Sequence, residues 1–138
     1  MRLVLDTNVV VSAFISHNSK PSQILKLVLQ RKAEICYNST ILLEYKNVML
    51  RRKFADKIHF HVVNQFINLI KSIGFSFVPM PSNVKLPDES DRIFYDTAKG
   101  SGSVLITGNI KHYPKEPFII LPSDFLKKYI LPGESTIL

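Results

Sequence analysis

A doubly wound α/β fold around a parallel sheet of about five strands is predicted by two observations. Short, mostly apolar segments recur along the 138 residues, and stretches with helical hydrophobic spacing separate them. Strands alternating with helices join through right-handed crossovers, and the sheet they form is covered on both faces. Such strands read as continuous apolar runs, which is the pattern seen here.

The first strand is Leu3–Leu5, and it ends on the carboxylate of Asp6. Ser22–Arg31 follows Pro21, a favoured first-turn residue, and reads as a helix. Glu34–Tyr37 is the second strand. Asn38 or Ser39 can cap a helix through about Lys53, with Ile41, Leu42, Tyr45, Val48 and Met49 on one stripe. Lys57–Ile73 carries Phe60, Val63, Phe66, Ile67 and Ile70 at helical spacing, and Gly74 ends it. Phe75–Val78 is the third strand, and the proline-bearing stretch Pro79 to Pro87 is an exposed connection. A helix over Asp88–Gly100, strands Val104–Thr107 and Phe118–Leu121, and a helix from Ser123 through Ile130 complete the alternation. One domain spans 1–131, and Pro132–Leu138 reads as a tail.

Hydrophobic residues make up 46% and charged residues 21%, ordinary values for a globular chain. The single cysteine, Cys36, excludes an internal disulfide and reads as a buried, inert thiol in a reducing compartment. No leader precedes the charge at position 6, and no apolar run approaches the roughly 20 residues of a membrane span. A cytoplasmic location without membrane attachment is therefore expected. The 18 Lys and Arg against 11 Asp and Glu give a net charge of +7, which draws phosphate backbones at long range.

Four carboxylates stand out against that basic background. Asp6 ends the first strand, where ligands bind in open α/β sheets, with Thr7 and Asn8 beside it. Glu44 sits in an amphipathic helix, Asp91 in the first turn of another, and Asp96 five residues later, roughly 140° around that helix. Carboxylates that converge repel one another unless a hard divalent cation, Mg²⁺ or Mn²⁺, joins them. Such a cation makes water more acidic and neutralises charge building on a phosphate. An acidic pocket in a basic protein suits a polyanionic substrate, so the pattern favours a nuclease over a small-molecule hydrolase. Each acidic residue also has a plainer role: Asp6 as a helix cap, Glu44 as a solvated residue, Asp91 as a partner of the helix dipole.

Leu5-Asp6-Thr7-Asn8-Val9, Leu42-Leu43-Glu44, Asp91-Arg92-Ile93-Phe94-Tyr95-Asp96-Thr97-Ala98 and Leu105-Ile106-Thr107-Gly108-Asn109 resemble, in that order, the motifs of the PIN domain. The likeness is greatest to the VapC-like toxins of bacterial type II toxin–antitoxin systems. It implies a three-layer α/β/α fold, a parallel sheet of about five strands, and a Mg²⁺- or Mn²⁺-dependent endoribonuclease. By position Asp6, Glu44 and Asp91 match the catalytic acidic triad, and Asp96, outside that match, is expected as a further metal ligand that compensates for Asn109. Thr7 and Asn8 match its hydroxyl and amide support, and Thr107 and Asn109 are expected as further supporting residues. Asn109 stands where the family's fourth carboxylate normally does, which leaves the number of metals open. A cognate antitoxin and a homodimer are the partners the resemblance implies. Arg51, Arg52 and Lys53 on one side, with Lys111 and His112 on the other, are the expected RNA-binding residues.

Two rival readings stay open. One is a PIN-like fold that binds RNA or protein without catalysis, on account of Asn109. The other is a haloacid-dehalogenase-like phosphotransferase with Asp6 as nucleophile, although Asn8 occupies the place of its general acid. A dinucleotide site is not expected, since the turn after the first strand has no glycine.

Overall fold

Leu3, Val4 and Leu5 are essentially inaccessible, because β1 (Arg2–Leu5) is the middle strand of the sheet. The computed structural model describes residues 1–129, and places β2 (Glu34–Tyr37), β3 (Phe75–Ser76), β4 (Val104–Ile106) and β5 (Ile119–Ile120) around it. All neighbours are parallel, in the order β3-β2-β1-β4-β5. Leu3 is in register with Ile35 on one side and Val104 on the other. The chain works outward from β1 through β2 to β3, then crosses back to β4. The reversal falls between β1 and β4, and ligands of open parallel sheets bind outside the strand ends at such a point.

Among the described residues six helices flank the sheet in an α/β/α arrangement: α1 (Thr7–Ile15), α2 (Lys20–Leu29), α3 (Ser39–Met49), α4 (Phe60–Ile73), α5 (Arg92–Ser101) and α6 (Pro122–Tyr129). Tyr45, Phe94, Tyr95 and Phe125 are its largest fully buried side chains, and Cys36 is buried as expected. No helix among the described residues is long and apolar enough to cross a membrane.

Several boundaries differ from the sequence expectation, each for a local reason. Thr7–Ile15, to which the sequence pattern assigns no element, forms α1 although its Val9-Val10-Val11 run has weak helix propensity. Asp6 caps that helix by accepting from the Thr7 amide, and burial of all three valines offsets their weak helix propensity. The helix expected to reach Lys53 ends at Met49, and Arg52–Phe54 follows as a separate 3-10 turn. α4 starts at Phe60, with Phe60 about half exposed, because His59 caps it by accepting from the His61 amide. A 3-10 turn over Glu89–Asp91 precedes α5, which continues past Gly100 and ends where Gly102 adopts φ 70°. The last residue of the expected final helix, Ile130, and the tail Pro132–Leu138 lie outside the described residues.

Candidate active site

Asp6 leaves β1 with its amide still bonded to the Ile106 carbonyl of β4 at 3.0 Å, so its side chain emerges at the reversal point. The carboxylate is 5% exposed and held on both oxygens. Oδ1 accepts from the Thr7 amide at 2.8 Å. Oδ2 accepts from the Thr107 hydroxyl at 2.8 Å and the Tyr113 hydroxyl at 2.9 Å. Thr107 Oγ1 in turn accepts from the Asn109 amide at 3.0 Å. Asn8 Oδ1 accepts from the Gly108 amide at 2.9 Å, a close approach, since a Cβ at Gly108 would stand 3.2 Å from that oxygen. The segments after β1 and β4 are thus joined by side chains that the sequence singled out as support.

Burial and the nearby Asp6 carboxylate hold the Tyr45 and Tyr113 hydroxyls well above the ordinary tyrosine range. Both remain donors at neutral pH, Tyr113 to Asp6 and Tyr45 to the Leu5 carbonyl at 2.5 Å.

Glu44 projects from α3 into the same cleft and is exposed, with Oε2 accepting from Thr7 Oγ1 at 3.4 Å. Asp91 comes from the 3-10 turn ahead of α5. Its Oδ2 is buried and makes no hydrogen bond; His112 Nδ1 stands 3.4 Å away without hydrogen-bond alignment. Burial first, then the charges of Asp6 and Asp88, raise the Asp91 carboxyl to about 6, against the pull of His112. Asp88 instead accepts from the Ser90 amide and hydroxyl, which lower its carboxyl. Asp88, Asp91 and His112 each offer a ligand atom within 4.8 Å of one another.

The cleft occupies about 490 Å³ and takes in Asp6, Glu44, Asp88, Asp91, Asn109 and His112, with Arg51 and Lys53 on its wall. A buried, unpartnered carboxylate oxygen beside an imidazole and further carboxylates is a donor set that fits a divalent cation.

One expectation is corrected here. Asp96 does not join the cleft: it lines a separate cavity, where Oδ1 accepts from the Ser82 hydroxyl at 2.5 Å and Oδ2 from the Ser82 amide at 3.1 Å. Arg92 Nη1 lies 3.8 Å from it, so the buried carboxylate pins the loop after β3. Arg52 and Lys111, expected to bind RNA, are not among the residues lining the cleft, and Lys111 borders a neighbouring pocket. Two contributors went unassigned in the sequence. Asp88 could have been found from its place three residues before Asp91. Tyr113, 107 residues from Asp6, carried no signal for its contact.

Fold and cleft together define a class: a parallel α/β protein with carboxylates gathered at the reversal of its strand order. The sequence model of the PIN domain matches residues 2–111, and the chain belongs to that family, whose members are typically nucleases. It is similar to the uncharacterized protein MJ1680 of Methanocaldococcus jannaschii, 27% identical over 110 residues that span 79% of this chain and 71% of that protein. In three dimensions it resembles a chain of the crystal structure of VapBC2 from Rickettsia felis bound to a DNA fragment from their promoter. The TM-score is 0.54 at 18% identity, covering 88% of this chain and 97% of the other.

Proposed function

We propose that this protein is a metal-dependent endoribonuclease, with Asp6, Glu44 and Asp91 as its catalytic acids. One observation carries the reading: three carboxylates drawn from the end of β1, α3 and the turn before α5 meet in one cleft, and the Asp91 oxygen inside it is buried without a hydrogen bond. Asp91, with Asp88 and His112, would hold Mg²⁺ or Mn²⁺ together with Asp6 and Glu44. When bound, a divalent cation supplies Lewis acidity, lowering the pKa of water and offsetting charge that grows on a phosphate.

The chain's own groups do the positioning. Thr7, Thr107 and Tyr113 fix the Asp6 carboxylate by three hydrogen bonds, so no reorganisation is needed as charge develops. Arg51 and Lys53 flank the cleft and would hold the phosphates on either side of the scissile bond. His112, beside Asp91, is placed to contact the RNA backbone or the cation. The resemblance to VapC-like toxins extends the reading to a cytoplasmic, homodimeric toxin held inactive by an antitoxin that covers the acidic cleft.

A second reading, a PIN fold that binds RNA without cutting it, is favoured by the neutral Asn109 at the rim of the cleft. Cleavage of mixed RNA in Mg²⁺, Mn²⁺ or EDTA, comparing wild type with Asp6→Asn, separates the two. Metal-dependent cutting that the variant loses supports the nuclease. Metal-independent binding without cutting, from folded protein freed of antitoxin, supports the second reading.

A further inference from the structure

The turn Ile110–His112 is a wall shared by two cavities. Residues three apart eclipse in a 3-10 turn. Asn109 and His112 accordingly border the acidic cleft, while Ile110 and Tyr113 border a pocket on the other side. That pocket measures about 590 Å³, with a largely apolar wall that includes Pro114 and Pro117. Its charged groups are Lys111, Lys115 and Glu116. Nothing in the cleavage reading uses it.

We propose that this pocket receives one unpaired nucleobase, preferably guanine, of the RNA strand whose backbone crosses the acidic cleft. The inference rests on the ribonuclease reading and names a specificity subsite for it.

Four features point to a base. The exposed Pro117 and half-buried Pro114 rings give a base flat apolar surfaces to lie against. Lys111 and Lys115 are exposed, and two cations complement the phosphates that flank an inserted base. Glu116 lines the pocket, so its carboxylate repels a phosphate but accepts N–H donors. Guanine carries adjacent N1–H and N2–H donors that match two carboxylate oxygens, whereas uracil carries one N–H between two acceptor carbonyls. Continuity with the acidic cleft is direct, because the Tyr113 ring that lines the pocket donates to Asp6 at 2.9 Å. The Tyr95 hydroxyl, buried and kept protonated, donates to Glu116 and fixes that carboxylate in place.

The test is binding of fluorescein-labelled RNA hexamers to the full chain in EDTA, read by anisotropy, with hexauridine compared against hexamers carrying a single G, A or C. The G hexamer is expected to bind about tenfold more tightly than hexauridine, the discrimination of a bidentate contact. Glu116→Gln should bring that preference to within about twofold while hexauridine affinity holds. Lys115→Glu should weaken all four hexamers alike. Because Glu116 also holds Tyr95, Ile110→Ala serves as an independent probe and should weaken the G hexamer more than hexauridine. Equal binding of all four hexamers, with metal-dependent cleavage intact, overturns the subsite alone and leaves the pocket to an apolar protein segment. No binding of any hexamer, with no cleavage, overturns the ribonuclease reading and the subsite together.

Discussion

Replacing Asp91 by Asn should stabilise the cation-free protein while removing its activity. The carboxyl is 15% exposed, its Oδ2 has no hydrogen-bond partner, and it is raised from 3.8 to about 6. A folded-state value above the unfolded one means that the native protein binds the proton more tightly, so stability falls as pH rises between those values. Well below pH 4 both states are protonated and the burial has little cost. Above about pH 6 the full cost is present, about 3 kcal/mol for the interval from 3.8 to about 6 before solvent screening reduces it. Urea denaturation in EDTA, followed by circular dichroism, reads this directly. Asp91→Asn should exceed wild type by about 1–3 kcal/mol at pH 8, and by about 0.6 kcal/mol or less at pH 4. Added Mn²⁺ should stabilise wild type and narrow the gap at pH 8. A gap that does not change with pH, or a variant less stable than wild type at pH 8, would refute the argument that buried charge at Asp91 opposes folding.

Three further substitutions probe the frame around the cleft. Tyr113→Phe removes one donor from the buried Asp6 carboxylate and should cost about 1.5–3 kcal/mol in thermal or chemical denaturation, with cleavage reduced. Asp96→Asn should cost about 2–4 kcal/mol through its contacts to Ser82 and Arg92. Titration with Mn²⁺ should nonetheless give the wild-type stoichiometry; a lost ion would return Asp96 to the metal group. Gly74→Ala places a Cβ 2.7 Å from the Ile70 carbonyl and 2.8 Å from the Ile35 carbonyl, both backbone atoms that do not yield. The melting temperature should drop, by about 1–3 kcal/mol of stability.

Local patterning carried the alternation of strands and helices into the sequence, because apolar runs and helical stripes are short-range signals. The placement of Asp6 at a strand end was equally legible, as were the motifs around Glu44 and Asp91. What escaped was decided by burial. Val9-Val10-Val11 prefer a strand, but with β1 filling the sheet centre they are buried best as a helix capped by Asp6. Helical periodicity gave the angle between Asp91 and Asp96 without saying what faced either one. Only the fold brings Ser82 against Asp96, 14 residues away, and leaves Asp91 Oδ2 buried without a hydrogen bond.

Sequence by itself determined the fold class, the family motifs and the identity of the acidic residues, since each depends on residues near one another along the chain. Tertiary structure decided which of them share a cleft. It set Asp88 and His112 beside Asp91, sent Asp96 to a structural role, and brought Tyr113 to Asp6. Those pairings arise from strand order, which joins β1 to β4 across about a hundred residues, and no local period encodes a contact at that separation.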